Sequence, residues 1–157
     1  MNARPEDMIA AWSALPAAPR PVGLYAPYVR LGDLIALSAI SSAREGATVM
    51  GKVGRDFDLA TGQAAARRAA ENLLAVLLEA VDGDPGRIDR LLVVRGYVNA
   101  ADEFGDVHKV IDAASEVLIA HLGPEAGAHA RTSLGCSTLP NGNAVTLEAL
   151  AALKPSA

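Results

Sequence analysis

The chain has 157 residues and a mass of 16.1 kDa, the size of one ordinary domain, and a chain of this length buries roughly 68–70% of its unfolded surface without staples. A composition of 51% apolar and 20% charged residues excludes a disordered chain, and a net charge of −4 argues against a nucleic-acid platform, which needs a basic surface. The single cysteine, Cys136, excludes an intrachain disulfide, and 4% aromatic residues leave the core volume to Leu, Val, Ile and Ala.

Residues 1–21 carry Pro5, Pro16, Pro19 and Pro21 and read as an N-terminal arm outside the core, leaving residues 22–157 as a single domain. Glu6 and Asp7 interrupt any signal-like apolar run, and no stretch reaches 18 apolar residues. A cytoplasmic chain with no membrane span and no membrane partner is the expectation. Tyr25–Arg30 and Asp33–Ala39 read as two short strands around a Gly32-Asp33 turn. A third short strand is expected at Ala47–Val49, after a turn at Glu45-Gly46. Asp58 suits a helix N-cap, and Leu59, Ala66, Ala69, Ala70, Leu73, Leu77 and Val81 recur at helical spacing after it. Gly83, Pro85 and Gly86 end that helix. A strand over Arg90–Val98 follows, then a second helix from about Glu103 to Leu122, stopped by Gly123-Pro124.

The tail ARTSLGCSTLPNGNAVTLEALA reads as strand, turn and strand, with Asn141-Gly142 suiting a two-residue hairpin turn. That register pairs Cys136 with Leu147 on an apolar face. It puts Arg131, Ser133, Thr146 and Glu148 together on a polar one. Cys136 then reads as a packed thiol. The sum is an α+β domain with a mixed six-stranded sheet and two helices on one face. The second sheet face is left to solvent or to another subunit.

No P-loop, GxGxxG, HExxH or GxSxG motif is present. His108, His121 and His129 are not spaced as a ligand set, so no metal and no other cofactor is expected. Arg131 offers a fork that matches a carboxylate. Its commonplace role is a surface arginine paired with a nearby acid. Glu148, on an otherwise apolar strand, calls for a partner such as Arg131 or Arg95 or else titrates high.

The segments GLYAPYVRLGDLIALSA, AARRAAENLLAVL, VVRGYVNAADEFGDVHKVID and ARTSLGCSTLPNGNAVTLEALA resemble the RidA family, also called YjgF or the endoribonuclease L-PSP family. The resemblance spans roughly residues 22–151. The GKVGRDFDLATGQAAARRAAENLL stretch is similar to a longer, less characterised subgroup. The resemblance implies a chorismate-mutase-like α+β fold and a homotrimer with sheets inside, helices outside and clefts between subunits. It implies a small carboxylate ligand, a 2-imino or 2-keto acid, and an enamine/imine deaminase that hydrolyses 2-aminoacrylate-type 2-imino acids to 2-keto acids and ammonia.

By the same resemblance Arg131 grips the substrate carboxylate, Tyr25 lines the cleft, and Ser38 matches a serine whose following glycine is Ala39 here. Ser133 matches the Cys/Ser position two residues after the arginine, and Glu148 the more general of two glutamates. The catalytic set implied is Arg131, Ser133 and Glu148, with Tyr25, Ser38, Ala39 and Thr146 binding substrate. Thr146 stands where deaminating members carry the other glutamate, and threonine offers only a hydroxyl near neutral pH. General acid–base help is worth typically 10²–10⁴-fold. The alternative is therefore a non-catalytic trimer that binds or senses small keto or amino acids. RNA cleavage, known in parts of the family, fits poorly with the acidic charge.

Overall fold

The structure, a computed structural model, describes residues 10–155. Strand β1 (Tyr28–Leu31) and strand β2 (Leu34–Ser41) form the expected hairpin, with Leu31 opposite Leu34 across Gly32-Asp33. Gly32 has φ +58°, the positive value that a type II′ turn places on glycine at its first central position. Helix α1 (Leu59–Ala80) starts where Asp58 Oδ1 accepts the Thr61 N–H at 2.9 Å. It ends where Asp82 and Gly83 turn to positive φ.

Strand β3 (Ile88–Asn99), helix α2 (Val107–Ala126), strand β4 (Ala130–Cys136) and strand β5 (Val145–Leu153) complete the fold. Helical geometry in α2 breaks at Gly123 (φ +86°), as the Gly-Pro pair requires. The strand order is β1-β2-β5-β3-β4. The sheet has five strands among the described residues, not six. Ala47–Val49 forms no strand, because positive-φ glycines at 46, 51 and 54 bend the segment away from extension. The segment makes only isolated bridges, Met50 to Asn143 and Val53 to Phe57 and Ala100.

The larger correction concerns the tail. Asn141 and Gly142 do take positive φ, +56° and +68°, yet β4 and β5 do not pair. The α2 crossover returns β4 parallel to β3, with Val94 opposite Arg131 and Gly96 opposite Ser133. Strand β5 enters between β2 and β3, antiparallel to both. It is the most apolar strand, and the centre of a sheet buries it best.

Both long helices pack on one face of the sheet. Ile35, Leu37, Val94, Val98, Leu147, Ala149 and Ala151 meet the Ala65–Ala66–Ala69–Ala70 stripe of α1 and Val110, Ile111 and Leu118 of α2. Gly96 lets α2 lie close: a Cβ there would stand 2.5 Å from Ile111 Cδ1. Within the described part of the arm, Trp12 joins this core, and Leu15 and Ala18 pack against it. Trp12 is 6% exposed, donates its indole N–H to the His121 carbonyl at 3.2 Å, and sets its ring edge-on to His121. Burial of the large indole, with its N–H satisfied by a carbonyl, holds this segment against the helices. The start of the arm, with Pro5, lies outside the described residues.

The opposite sheet face carries no helix among the described residues. Val29, Leu31, Leu34 and Leu134 are 42–80% exposed there, an apolar surface of the kind that normally has a partner.

Candidate functional site

The register across β3 decides which candidates meet. Side chains of paired strands at opposed positions share a face. Arg131 and Ser133 therefore share the helix-bearing face with Val94 and Gly96. Thr146 and Glu148, opposite Tyr97 and Arg95, lie on the bare face. The polar face expected to hold all four does not exist, because β3 separates the two strands and its register divides them. Leu134 and Cys136 pair with Tyr97 and Asn99 and so also belong to the bare face. Cys136 is half-buried there and not packed under helices.

On the helix side, β4 and α2 build a polar cluster. Arg131 Nη1 donates to Asp112 Oδ1 at 2.7 Å and to Ser115 Oγ at 3.2 Å. Ser115 Oγ lies 3.1 Å from His129 Nε2, and His129 Nδ1 donates to the Gly127 carbonyl at 2.6 Å. The imidazole sits below its ordinary value: burial comes first, the Gly127 hydrogen bond opposes it, and the charge of Arg131 adds to it. Both hydrogens of Nη1 are engaged, while Nε and Nη2 donate to no acceptor among the described residues. That pair of nitrogens is a complete bidentate edge. Ser133 Oγ, two residues along the strand, is buried with no hydrogen-bond partner among the described residues.

On the bare face, Glu148 pairs with Arg95 at 2.9 Å across the β5–β3 register, one of the two partners its sequence context suggested. Burial first, then the negative charge of Glu148, raises the Tyr97 phenol above its usual range. Thr146 is buried opposite Tyr97.

Tyr25, Ser38 and Ala39 stand at the other edge of the sheet. Ser38 donates its hydroxyl to the Ala26 carbonyl at 2.6 Å and its N–H to Pro27, pinning segment 21–27 to β2. Ser38 and Ala39 fall in the irregularity between Leu37 and Ile40, where β2 breaks register with β5. Tyr25 is exposed on the pinned segment beside Val22 and Leu24. Three strand spacings, about 14 Å, separate β2 from β4. One chain therefore cannot bring Tyr25 and Arg131 to one small ligand.

Asp112, Ser115 and His129 escaped the sequence reading. The pattern HAR at 129–131 was visible, but α2 supplies its partners, and only the crossover brings them there. Lys52 escaped it too. Its ammonium donates to Asn99 Oδ1 at 3.0 Å, to the Ala100 carbonyl at 3.1 Å and to the Ser137 carbonyl, tying the ends of β3 and β4 together. Among the described residues no three His, Cys, Asp or Glu side chains converge as a metal-ligand set. No helix among them is long and apolar enough to cross a membrane. A groove of about 430 Å³ runs between the N-terminal segment and the helices, on the far side of the fold from the bare face; its Arg44 is already paired with Glu71 at 2.8 Å.

The chain resembles known proteins over nearly its whole length. Protein TCP17 of Trypanosoma cruzi is 33% identical over 140 residues, covering 88% of this chain and 87% of the relative. The crystal structure of Atu1372 from Agrobacterium tumefaciens, a protein of unknown function, is 32% identical with a TM-score of 0.86, covering 95% of this chain and 94% of that one. E. coli TdcF, solved with bound serine, is 20% identical with a TM-score of 0.60 over 86% of this chain and 92% of that one, a likeness of fold alone. The β1–β2 hairpin, the two helices on one sheet face and the β4–β5 tail all fall inside residues 6–153, which match the YjgF/chorismate mutase-like endoribonuclease family model. By that match and that fold, the chain belongs to the YjgF/chorismate mutase-like family.

Proposed function

We propose that the chain binds a small 2-keto or 2-imino acid through Arg131, in a cleft built between copies of itself. The observation that carries this reading is the Nε–Nη2 edge of Arg131, which donates to no acceptor among the described residues. Asp112 and Ser115 hold the guanidinium by Nη1 only and leave a bidentate carboxylate site facing away from them. The buried, partnerless hydroxyl of Ser133 on the same strand supports a polar ligand at this edge. The bound serine of TdcF, a small carboxylate in a protein of the same fold, agrees with the ligand class.

The positions of the candidates support the homotrimer that the family resemblance implies. Tyr25, Ser38 and Ala39 at one sheet edge and Arg131 and Ser133 at the other join only when unlike edges of two copies meet. Contacts of that kind close into a ring when the rotation between copies is a whole fraction of a turn, one third for a trimer. The exposed Val29, Leu31, Leu34 and Leu134 supply an apolar face for the inside of such a ring.

Thermal unfolding with pyruvate and 2-ketobutyrate tests the reading. Binding stabilises by RT ln(1 + [L]/Kd), about 2.7 kcal/mol at a hundredfold excess over Kd. The shift is expected in the wild type and lost in Arg131→Ala. No shift with either acid, or the same shift in both proteins, refutes it.

Imine hydrolysis is the second reading, favoured by Ser133 as a hydroxyl that can hold water beside Arg131. The candidate carboxylates are engaged: Glu148 is committed to Arg95 and Asp112 to Arg131, and Thr146 stands where the resemblance puts the other glutamate. Orientation of substrate and water would have to supply the rate. Ammonia release from freshly generated 2-aminoacrylate, against a protein-free control, decides it.

A further inference from the structure

Ser115 and His129 stand beside Arg131 without themselves gripping a carboxylate, and their hydrogen bonds have one self-consistent polarity. The Gly127 carbonyl can only accept, so His129 Nδ1 carries the proton that reaches it at 2.6 Å. The neutral ring then offers Nε2 as an acceptor. Burial and the positive charge of Arg131 both favour that neutral ring. Ser115 Oγ, 3.1 Å from Nε2, donates its hydrogen there. Its lone pairs turn to Arg131 Nη1 at 3.2 Å. Asp112 takes the second hydrogen of that nitrogen at 2.7 Å. One corner of the guanidinium is thus saturated by two side chains of α2, one of which is oriented in turn by the ring on the β4 approach. The group is planar and rigid, so fixing one corner fixes the direction of the Nε–Nη2 edge.

We propose that Ser115 and His129 form a positioning relay for Arg131, in which the ring orients the hydroxyl, the hydroxyl orients the guanidinium, and the remaining edge is aimed for a bidentate carboxylate. The relay rests on the carboxylate-binding reading above and names two further residues that set its geometry. It also predicts a selectivity. A carboxylate has two oxygens that match a fixed fork, whereas an amide of the same shape has one acceptor and gains little from the fork being fixed.

Calorimetric titration of pyruvate and pyruvamide tests the relay on wild type, Ser115→Ala, His129→Phe, and two variants that keep the relevant group, Ser115→Thr and His129→Gln. Each variant is first shown to be folded by its thermal melt. Ser115→Ala and His129→Phe are expected to weaken pyruvate about tenfold, the scale of one hydrogen bond to a charged group, and to leave the weaker pyruvamide binding unchanged. Ser115→Thr and His129→Gln are expected to remain within about threefold of wild type on the same scale. Nitrogen NMR is expected to show the Nδ1–H tautomer of His129 at neutral pH.

Pyruvate affinity in Ser115→Ala and His129→Phe equal to wild type overturns the relay. So does equal loss for pyruvate and pyruvamide, failure of the Thr and Gln variants to restore binding, or an Nε2–H tautomer. In those cases a loss of binding confined to Arg131→Ala still upholds the carboxylate site. Wild type that binds neither pyruvate nor 2-ketobutyrate refutes the site itself, and the relay with it.

Discussion

Arg131 and Asp112 meet at 2.7 Å through a single guanidinium nitrogen, with 26% and 51% of their side chains exposed. A pair so open to water is a tether and not a lock, since half-exposed ion pairs are screened and contribute little. A double-mutant cycle of Asp112→Ala and Arg131→Ala, read by urea unfolding, should give a coupling of about 0.2–1 kcal/mol. A coupling above about 2 kcal/mol would mark the arginine as a structural strut with little to spare for a ligand.

The His129 ring gives the fold a dependence on pH with a definite sign. Its value in the folded chain lies below the ordinary 6.5, with burial as the leading cause. Between the folded value and 6.5 the unfolded chain binds more protons than the folded one, so stability rises with pH across that window. Its contribution is complete above the window and declines as pH falls through 6.5 toward the folded value. The midpoint of urea unfolding should therefore drop over this range in wild type, and drop less in His129→Gln. Parallel curves for the two proteins would assign the acid sensitivity to other groups.

Gly96 is a packing requirement and not a flexible point. Its Cβ would fall 2.5 Å from Cδ1 and 2.7 Å from Cγ1 of Ile111, which is fully buried between α2 and the sheet. Gly96→Ala should cost about 1–3 kcal/mol by overpacking. The companion change Ile111→Val, which trims the nearest atom, should recover part of that loss in the double variant. Additive losses in the two single variants would show that the contact is not the cause.

Lys52 adds a shared donor where the ends of β3 and β4 lie side by side. Lys52→Met keeps the aliphatic stem but leaves Asn99 Oδ1 and the carbonyls of Ala100 and Ser137 without their shared donor. The expected loss is about 1–3 kcal/mol, that of stranded acceptors. Hydrogen exchange should speed up around residues 99–100 and 136–138 before the rest of the sheet. Unchanged exchange there, with full stability, would show that water replaces the ammonium.

The local features were legible because their causes lie within a few residues. Asp58 caps α1 through the N–H three residues on. Gly123 leaves helical geometry at φ +86° just before Pro124, which opens a last short turn. Gly32-Asp33 and Asn141-Gly142 bend where the chain must take positive φ. The resemblance carried the family and the layout of helices over sheet, and the Arg95–Glu148 pair was one of two partners named for that glutamate.

The amino-acid sequence by itself determined the helices, the turns and the family. It also showed that one sheet face would lack a cover, since two amphipathic helices can shield only one side. Tertiary structure alone decided that β5 lies between β2 and β3 and that β4 runs parallel to β3. That choice moved Arg131 and Ser133 to the helix side, left Thr146 and Glu148 on the bare face, and brought Asp112, Ser115 and His129 together around the guanidinium. It also drew Trp12 out of the arm and onto the helices. The reason is physical. A turn sets only the direction of the chain that leaves it, whereas strand neighbours are chosen by how much apolar surface each arrangement buries over the whole sheet, and a one-strand change of neighbour reassigns every side chain that depends on it.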